Sequence, residues 1–491
     1  MRRIHHLIDG REVPSRSGDY FASENPATGE QIAEVAAGDA ADIEAAVEAA
    51  ARAFHGPWSK MTPAERGHRL YRVAELIETR AAELAAAETL DSGKPLAANR
   101  HIDVPFCVDF WRFYAGAADK LRSPVVANEP GVHRYAVREP LGVIGAIAPW
   151  NFPLVMASLK LAPALAAGNT VVIKMAEQTP LTTSLLGQLC MEAGLPEGVV
   201  NVVHGFGETA GAALVRHPKV AKICFTGSTE VGRLIGQECA RQVKPFLLEL
   251  GGKAANIIFA DADLDQAVNG ALQAGLANNG QFCLAASRVL VEESVVDRVT
   301  ELLVNRARSI RLGDPNDPTT HCGPLISRAH LERVSSYVAS GCAEGAELLT
   351  GGAPPRDLPE RLRGGFYFAP TVFGRVHSKM RIAREEIFGP VIGISSFRTE
   401  EEAIALANGV EYGLSAYFWT KDADRVYRVA RALDAGLVFV NMPQYMVPQM
   451  PAGLRKSSGW GQNFGLEALE NYTKLKGVYV NYSGKIFPWL T

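Results

Sequence analysis

Cys283 closes the run Asn278-Asn279-Gly280-Gln281-Phe282-Cys283, and Glu249 stands 34 residues earlier in Leu248-Glu249-Leu250-Gly251-Gly252-Lys253. The nucleophilic form of cysteine is the thiolate, which a helix N-terminus or a nearby cation favours. Gly280-Gln281 followed by Ala285-Ala286 predicts Cys283 at a helix start. Glu249 ends the apolar run Phe246-Leu247-Leu248. Residues at strand ends of a parallel sheet face its cleft. Burial there would raise the carboxyl pKa and suit it to act as general base on water. Gly251-Gly252 would allow close backbone approach. A thiol supported by such a base points to covalent catalysis followed by water attack. Each residue alone has a plainer reading: a lone cysteine is most often a small buried hydrophobe, and a lone glutamate a solvated strand end.

A third group is Asn151 in Pro149-Trp150-Asn151-Phe152-Pro153. Its amide can donate to a developing oxyanion, with the Cys283 N–H as the second donor. The competing reading is a turn asparagine capping a helix. Gly227-Ser228-Thr229-Glu230-Val231-Gly232 follows an apolar strand and opens a helix suited to a pyrophosphate. Its GxxxxG spacing is not the GxGxxG fingerprint. Gly205-Phe206-Gly207 is a second turn at a strand end. Lys174 and Glu177 follow the strand Thr170–Ile173, where an acidic residue can accept from ribose hydroxyls. A surface ion pair is the plainer account of these two.

Elements must position these groups. Asp39 to Phe54 and Pro63 to Leu90 show apolar residues at helical spacing, and the first 120 residues read as mostly helical. Asn25 to Gly29 reads as a turn. From Gly142 short apolar runs alternate with helical stretches: 143–148, 170–173, 199–203, 223–225 and 246–250 read as strands, with 154–167, 180–193, 209–216 and 229–240 as helices. That pattern predicts a parallel, Rossmann-like sheet covered on both faces. After Lys253 a second α/β series begins, with strands at 256–259, 288–291 and 391–396 and helices at 263–277 and 295–309. Tyr135–Arg138 and Tyr472–Tyr482 alternate like edge strands that pair with another segment or subunit.

Bulk properties narrow the class. A chain of 491 residues suggests two or three domains, at about 100–200 residues each. A net charge of −3 gives no basic field for nucleic acid or an anionic membrane. No uncharged apolar stretch of about 18 residues predicts a membrane span. Asp9, Arg11 and Glu12 interrupt the start too early for a signal peptide. Seven cysteines without a CxxC spacing fit a reducing, cytoplasmic setting, and no cluster has metal-ligand spacing. His5-His6 reads as a frayed terminus rather than a metal site.

Taken together, these motifs resemble the aldehyde dehydrogenase superfamily over nearly the whole chain. The most specific parts are Leu248–Lys253 and Asn278–Cys283 with its continuation to Arg288. Supporting stretches are Pro149–Pro153, Lys174–Pro180, Phe225–Gly232, Glu385–Val391 and Tyr412–Ser415. The resemblance implies an α/β fold with a Rossmann-like cofactor domain (1–120 and 141–252) and an α/β catalytic domain (253–456). It also implies a small β oligomerisation arm (121–140 and 470–491) used in homodimers or homotetramers. It implies oxidation of an aldehyde to the carboxylic acid. Cys283 would attack, Asn151 and the Cys283 N–H would hold the oxyanion, and Glu249 would activate water. Trp150, Lys174, Glu177, Gly207, Phe225, Gly227, Ser228, Glu386 and Phe388 would bind the cofactor. Glu177 would repel a 2′-phosphate and so points to NAD, while Lys174 beside it leaves NADP open.

This chain departs from the family pattern in places. Leu276 stands where an aromatic usually heads the cysteine motif. Pro451-Ala452-Gly453 replaces a usual Pro-Phe-Gly, Leu159 replaces a common tryptophan, and Asn463 replaces a glutamate that pairs with a lysine like Lys160 in some relatives' proton relay. Phe152, Met156, Phe282, Tyr445, Met446 and Ala452, with Phe106 and Phe110, would line an apolar tunnel for a bulky hydrophobic or aromatic aldehyde. Two alternatives stand beside this reading. A coenzyme-A-acylating semialdehyde dehydrogenase would need no base for water. A non-catalytic relative would need none of Cys283, Glu249 and Asn151.

Overall fold

The computed structural model describes residues 2–484. The apolar runs after Gly142 form five parallel strands: Val143–Ala148, Thr170–Met175, Val200–Val202, Val220–Thr226 and Phe246–Glu249. They stand in the order Phe246–Glu249, Val220–Thr226, Val143–Ala148, Thr170–Met175, Val200–Val202. Both faces are covered, which is why the strands read as continuous apolar runs rather than alternations. Pro153–Ala166 is buried along its whole length. Pro153 suits its first turn, where a missing N–H costs nothing.

The sheet continues past this parallel core on both sides. His6–Ile8 joins antiparallel to Val200–Val202, with Arg11–Val13 outside it. At the other edge Gly459–Trp460 pairs antiparallel with Leu248 and Glu249. Residues 2–36 hold strands joined by turns, not helix: Arg2–Ile4, Tyr20–Asn25 and Glu30–Ala36 make a separate three-stranded sheet. Runs of three residues carry too little periodicity to show in sequence. The helices predicted beyond them form, at Ala40–His55, Pro63–Thr79 and Ala81–Ser92. Two are opened by capping boxes at Asp39 and Thr62. His6 is not frayed but fully buried, and its Nδ1 accepts the His204 N–H at 3.2 Å.

The second sheet has seven strands in the order Glu347–Thr350, Thr371–Gly374, Val391–Phe397, Arg288–Glu292, Ala255–Ile258, Ser415–Trp419, Leu437–Val440. All pairs are parallel except the first. The helices Leu264–Leu276 and Val296–Arg308 pack on it, close to their expected bounds. The two edge-strand candidates pair with each other. Val132–Pro140 and Thr473–Asn481 form a two-stranded antiparallel ribbon in which Tyr135 faces Val478. Residues 485–491 of the expected arm lie outside the described residues. No helix among the described residues is long and apolar enough to cross a membrane. No cluster of His, Cys, Asp and Glu among them could hold a metal ion.

Candidate active site

The two motifs meet at their glycines. A Cβ on Gly252 would lie 2.1 Å from the Cys283 carbonyl oxygen, so only glycine lets the cysteine loop pass. A Cβ on Gly251 would lie 2.5 Å from Glu386 Oε2. The Gly252 N–H instead donates to Glu386 Oε1 at 2.8 Å. The close approach read from Gly251-Gly252 thus serves two partners, the nucleophile's loop and a distant carboxylate.

Cys283 is not at a helix start. The helix Leu264–Leu276 ends, and Asn278, Asn279 and Gly280 all take positive φ (48°, 56° and 68°) before the chain enters Arg288–Glu292. Asparagine and glycine tolerate this region best. The reversal sets Cys283 in an irregular turn, half-buried, with no helix dipole behind it. Burial, then the carboxylates of Glu249 and Glu386, push its thiol well above the usual range, against the pull of the Cys283 and Leu284 N–H groups. Burial thus favours the neutral thiol over the thiolate.

Asn151 is buried and is held from two sides. Its Nδ2 donates to the Gln281 carbonyl at 2.9 Å, and its own carbonyl accepts from Asn278 Nδ2 at 2.9 Å. An amide nitrogen carries two hydrogens, so one remains for a substrate oxygen. The helix after it is capped at Phe152, not Asn151, and by no side chain. The capping account of Asn151 does not apply.

Glu249 pairs in register with Thr226 on one side and Gly459 on the other. Its Oε2 accepts from Asn463 Nδ2 at 2.8 Å and lies 3.5 Å from Thr226 Oγ1. Lys160 Nζ donates to the same Thr226 hydroxyl at 2.6 Å. Burial raises the Glu249 carboxyl above the ordinary range, with Lys160, Thr226 and Asn463 opposing. Burial lowers Lys160, with Glu249 opposing. Asn463 thus stands within reach of the carboxylate but carries no titratable proton. Thr226 was not singled out in sequence, where nothing distinguishes it from a strand threonine.

The cofactor candidates spread over four segments. Lys174 is buried and pairs with Glu177 at 3.2 Å, so the ion pair exists but is not a free surface pair. Ser228 caps the helix Thr229–Arg241, its Oγ accepting the Val231 N–H at 3.2 Å. Gly227 is pressed against the Phe225 ring, which is itself buried in the core. Gly207 opens a single π-turn, Gly207–Gly211, where the sequence suggested regular helix; open space surrounds it. Trp150 meets Phe388 edge to face, centroids 5.3 Å apart. His330, missed in sequence, also touches Trp150 and lies 2.7 Å from the Phe388 carbonyl. Burial drives it down to about 4, so it is neutral and donates there. Glu386 is pushed up to about 7 by burial, and Arg333 donates to its backbone carbonyl. A capped helix N-terminus, a lysine–glutamate pair at the end of another strand of the same sheet and a second carboxylate two residues from Phe388 fit the phosphates, sugars and ring of a nicotinamide dinucleotide.

The tunnel candidates divide. Phe152 and Phe282 meet edge to face at 6.5 Å, and Phe282 and Met156 are buried. Met446 packs on two core clusters. Tyr445 is 70% exposed and stands out to solvent instead. Ala452 is buried and pairs with Asn463 across a short ladder. The next residue, Phe464, shares its cluster and packs on Phe110 and Phe106 at 5.7 and 6.3 Å. An aromatic absent at 452 thus has a neighbour at 464 that the sequence did not reveal.

The sequence pattern of the aldehyde dehydrogenase family matches residues 13–478. The chain belongs to the aldehyde dehydrogenase family. It is 44% identical over 485 residues to 2-hydroxymuconic semialdehyde dehydrogenase of Pseudomonas sp. (strain CF600), covering 98% of this chain and all of that one. It is 46% identical over 482 residues to human retinaldehyde dehydrogenase 3, covering 98% and 93%. Its fold superimposes on an aldehyde dehydrogenase of Bacillus cereus in complex with NAD+ with a TM-score of 0.95, at 43% identity and 98% and 97% coverage. As an aldehyde dehydrogenase the chain oxidises aldehydes, and its fold is the family's α/β architecture.

Proposed function

We propose that Cys283 carries this oxidation covalently, with NAD as oxidant, and that the aldehyde is bulky and hydrophobic or aromatic. The observation that carries the mechanism is the meeting of the cysteine and glutamate motifs at Gly251-Gly252, with Asn151 tied to Gln281 just before the cysteine. The Cys283 sulfur bonds to the carbonyl carbon, and its proton passes to a base. Asn151 Nδ2 and the Cys283 N–H hold the resulting oxyanion of the thiohemiacetal. Bound NAD would supply the acceptor for the hydride lost from the thiohemiacetal carbon, and Cys283 would then carry the acyl group as a thioester. Glu249 takes a proton from water, the hydroxide displaces the thiolate, and the carboxylic acid leaves. Lys174 and Glu177 would hold a ribose, the Ser228 helix the phosphates, and Glu386 with the Trp150–Phe388 pair the nicotinamide end. The arm formed by 121–140 and 470–491 joins subunits into a homodimer or homotetramer.

The substrate reading rests on Phe152, Phe282, Met156 and Met446, and on Leu159 and Ala452 where rings are usual. One relative is named for a semialdehyde and another for retinaldehyde, so the names do not choose between acidic and apolar tails. An aldehyde panel with NAD or NADP, with and without coenzyme A, tests the whole reading. Reduced cofactor should form fastest with benzaldehyde-like substrates and without need of coenzyme A. Higher kcat/KM for short polar semialdehydes would overturn the substrate class, and dependence on coenzyme A would overturn the role of water. Cys283→Ser should abolish turnover and keep NAD binding, as read by fluorescence titration.

A further inference from the structure

The helix Ala81–Ser92 carries two carboxylates that the chemistry above leaves unused. Glu88 and Asp91 lie three residues apart and so share one face; they are only 1% and 0% exposed. Both Glu88 oxygens lie 3.2 Å from the Leu154 N–H, in the first turn of the helix Pro153–Ala166. Asp91 Oδ2 accepts the Leu181 N–H at 2.9 Å, at the first residue of the helix Leu181–Glu192. Neither helix caps itself. Their N-cap positions, Phe152 and Pro180, make no side-chain hydrogen bond. A helix start leaves several N–H groups without intrahelical partners, and a side chain at the N-cap normally takes one. Here a third helix takes one from each.

The two capped starts end two different turns of the site. Asn151 lies three residues before Leu154, and Glu177 four before Leu181, with Lys174 beyond it. The same segment reaches the catalytic turn once more. Lys94 Nζ sits 3.8 Å from the Phe152 ring centroid and is ion-paired with buried Asp103. Buried ionisable groups are poor stabilisers compared with an apolar face of the same shape. An apolar face cannot fix the direction of two N–H groups; a carboxylate can.

We propose that Glu88 and Asp91 are positioning residues for separate steps: Glu88 holds the turn that aims Asn151, and Asp91 holds the turn that presents Lys174 and Glu177 to the cofactor. This rests on the roles assigned above to those three residues. Displacement of the first turn lowers the rate of chemistry, and displacement of the second weakens cofactor binding. Each carboxylate takes its backbone N–H from a different helix, so each truncation acts first on its own turn, although Glu88 also interacts with Thr182 at the start of the second helix.

Steady-state kinetics and NAD titrations on the purified full-length chain separate the two. Glu88→Ala should lower kcat about tenfold with NAD affinity within about twofold of wild type, since misplacement of a reacting group is costly in rate. Asp91→Ala should weaken NAD about fivefold with kcat within about twofold, for the same geometric reason. Glu88→Gln and Asp91→Asn keep an acceptor oxygen and should restore each value. A folded Glu88→Ala with unchanged kcat, or alanine variants that move both values together, overturns the proposal. Where an alanine variant does not fold by circular dichroism, Glu88→Asp or Asp91→Asn takes its place; the first must show the loss of kcat and the second must keep NAD affinity. Asn151→Ala is measured alongside. Full activity there removes the role on which the proposal stands. Lost activity there, with Glu88→Ala unaffected, sinks the clamp alone.

Discussion

Burial holds the Cys283 thiol well above its usual range, so under the proposed mechanism its attack begins with a proton transfer. Under the proposed mechanism Glu249 is the base for water, and burial holds its carboxyl above the ordinary range. It acts as base only when ionised, so activity should rise with pH along a limb above the usual glutamate range. Glu249→Gln should remove that limb and slow turnover by about 10²–10⁴, the usual worth of a general base; pH–rate profiles of both proteins check it. Asn151→Ala should cost about 10²–10³ in kcat, the usual worth of one oxyanion donor. That the segments of Cys283, Glu249 and Asn151 meet could be anticipated because each residue sits in a short motif of unusual residues. The setting of Cys283 was misread as a helix start. Alanines after a glycine suggest helix, but the two asparagines before that glycine turn left-handed and spend the turn on a reversal. His330 and Phe464 were not legible at all, because neither lies in a motif, and Thr226, inside the Phe225–Gly232 stretch, reads as an ordinary strand threonine.

At the scale of elements, glycines and buried acids decide which loops can meet. A Cβ on Gly280 would lie 2.2 Å from the Gly389 carbonyl oxygen, and φ there is 68°. Gly280→Ala should therefore destabilise the fold by about 1–3 kcal/mol through clash and backbone strain. The midpoint of urea unfolding measures it. Glu88 offers a second reading of an element. Burial raises its carboxyl to about 7, well above the ordinary 4.5. The folded state thus binds this proton more tightly than the unfolded chain does. Its contribution is fully present below the ordinary glutamate range and is lost as pH rises through about 7. Glu88→Gln has no such proton to lose. Its stability relative to wild type should rise between about pH 5 and 7, by about 1 kcal/mol per unit; paired unfolding curves test the sign. Long helices were legible from their period, and fully apolar strands from their unbroken apolar runs between turns. The N-terminal strands were not, since three-residue polar runs such as Arg11–Val13 take their structure from the sheet edge they join.

For the molecule as a whole, the ribbon of Val132–Pro140 and Thr473–Asn481 is the least self-sufficient part. Two strands alone are marginal in water, and Leu475 and Tyr479 are 56% and 77% exposed. If it joins subunits, removal of residues 473–491 should shift sedimentation of the protein from an oligomer to a monomer. Unchanged sedimentation would remove the arm from assembly. The alternation of strands and helices made the two large sheets legible in outline. Their edges were not, because Gly459–Trp460 and His6–Ile8 are too short to announce themselves and their pairing is set by the sheet already present.

Those edges carry a consequence for how the protein is made. One sheet takes its outermost strands from residues 11–13 and 459–460, and the strand of Glu249 waits for the later one. A chain emerging from the ribosome cannot complete this sheet until nearly all of it has been synthesised. Until then Glu249 lacks both its outer neighbour Gly459 and the amide of Asn463. Such distant pairing slows folding and leaves an open strand edge exposed in the meantime. Translation stalled before residue 459 should therefore yield a species held by chaperones, and release of the full chain should be the event that makes it an enzyme.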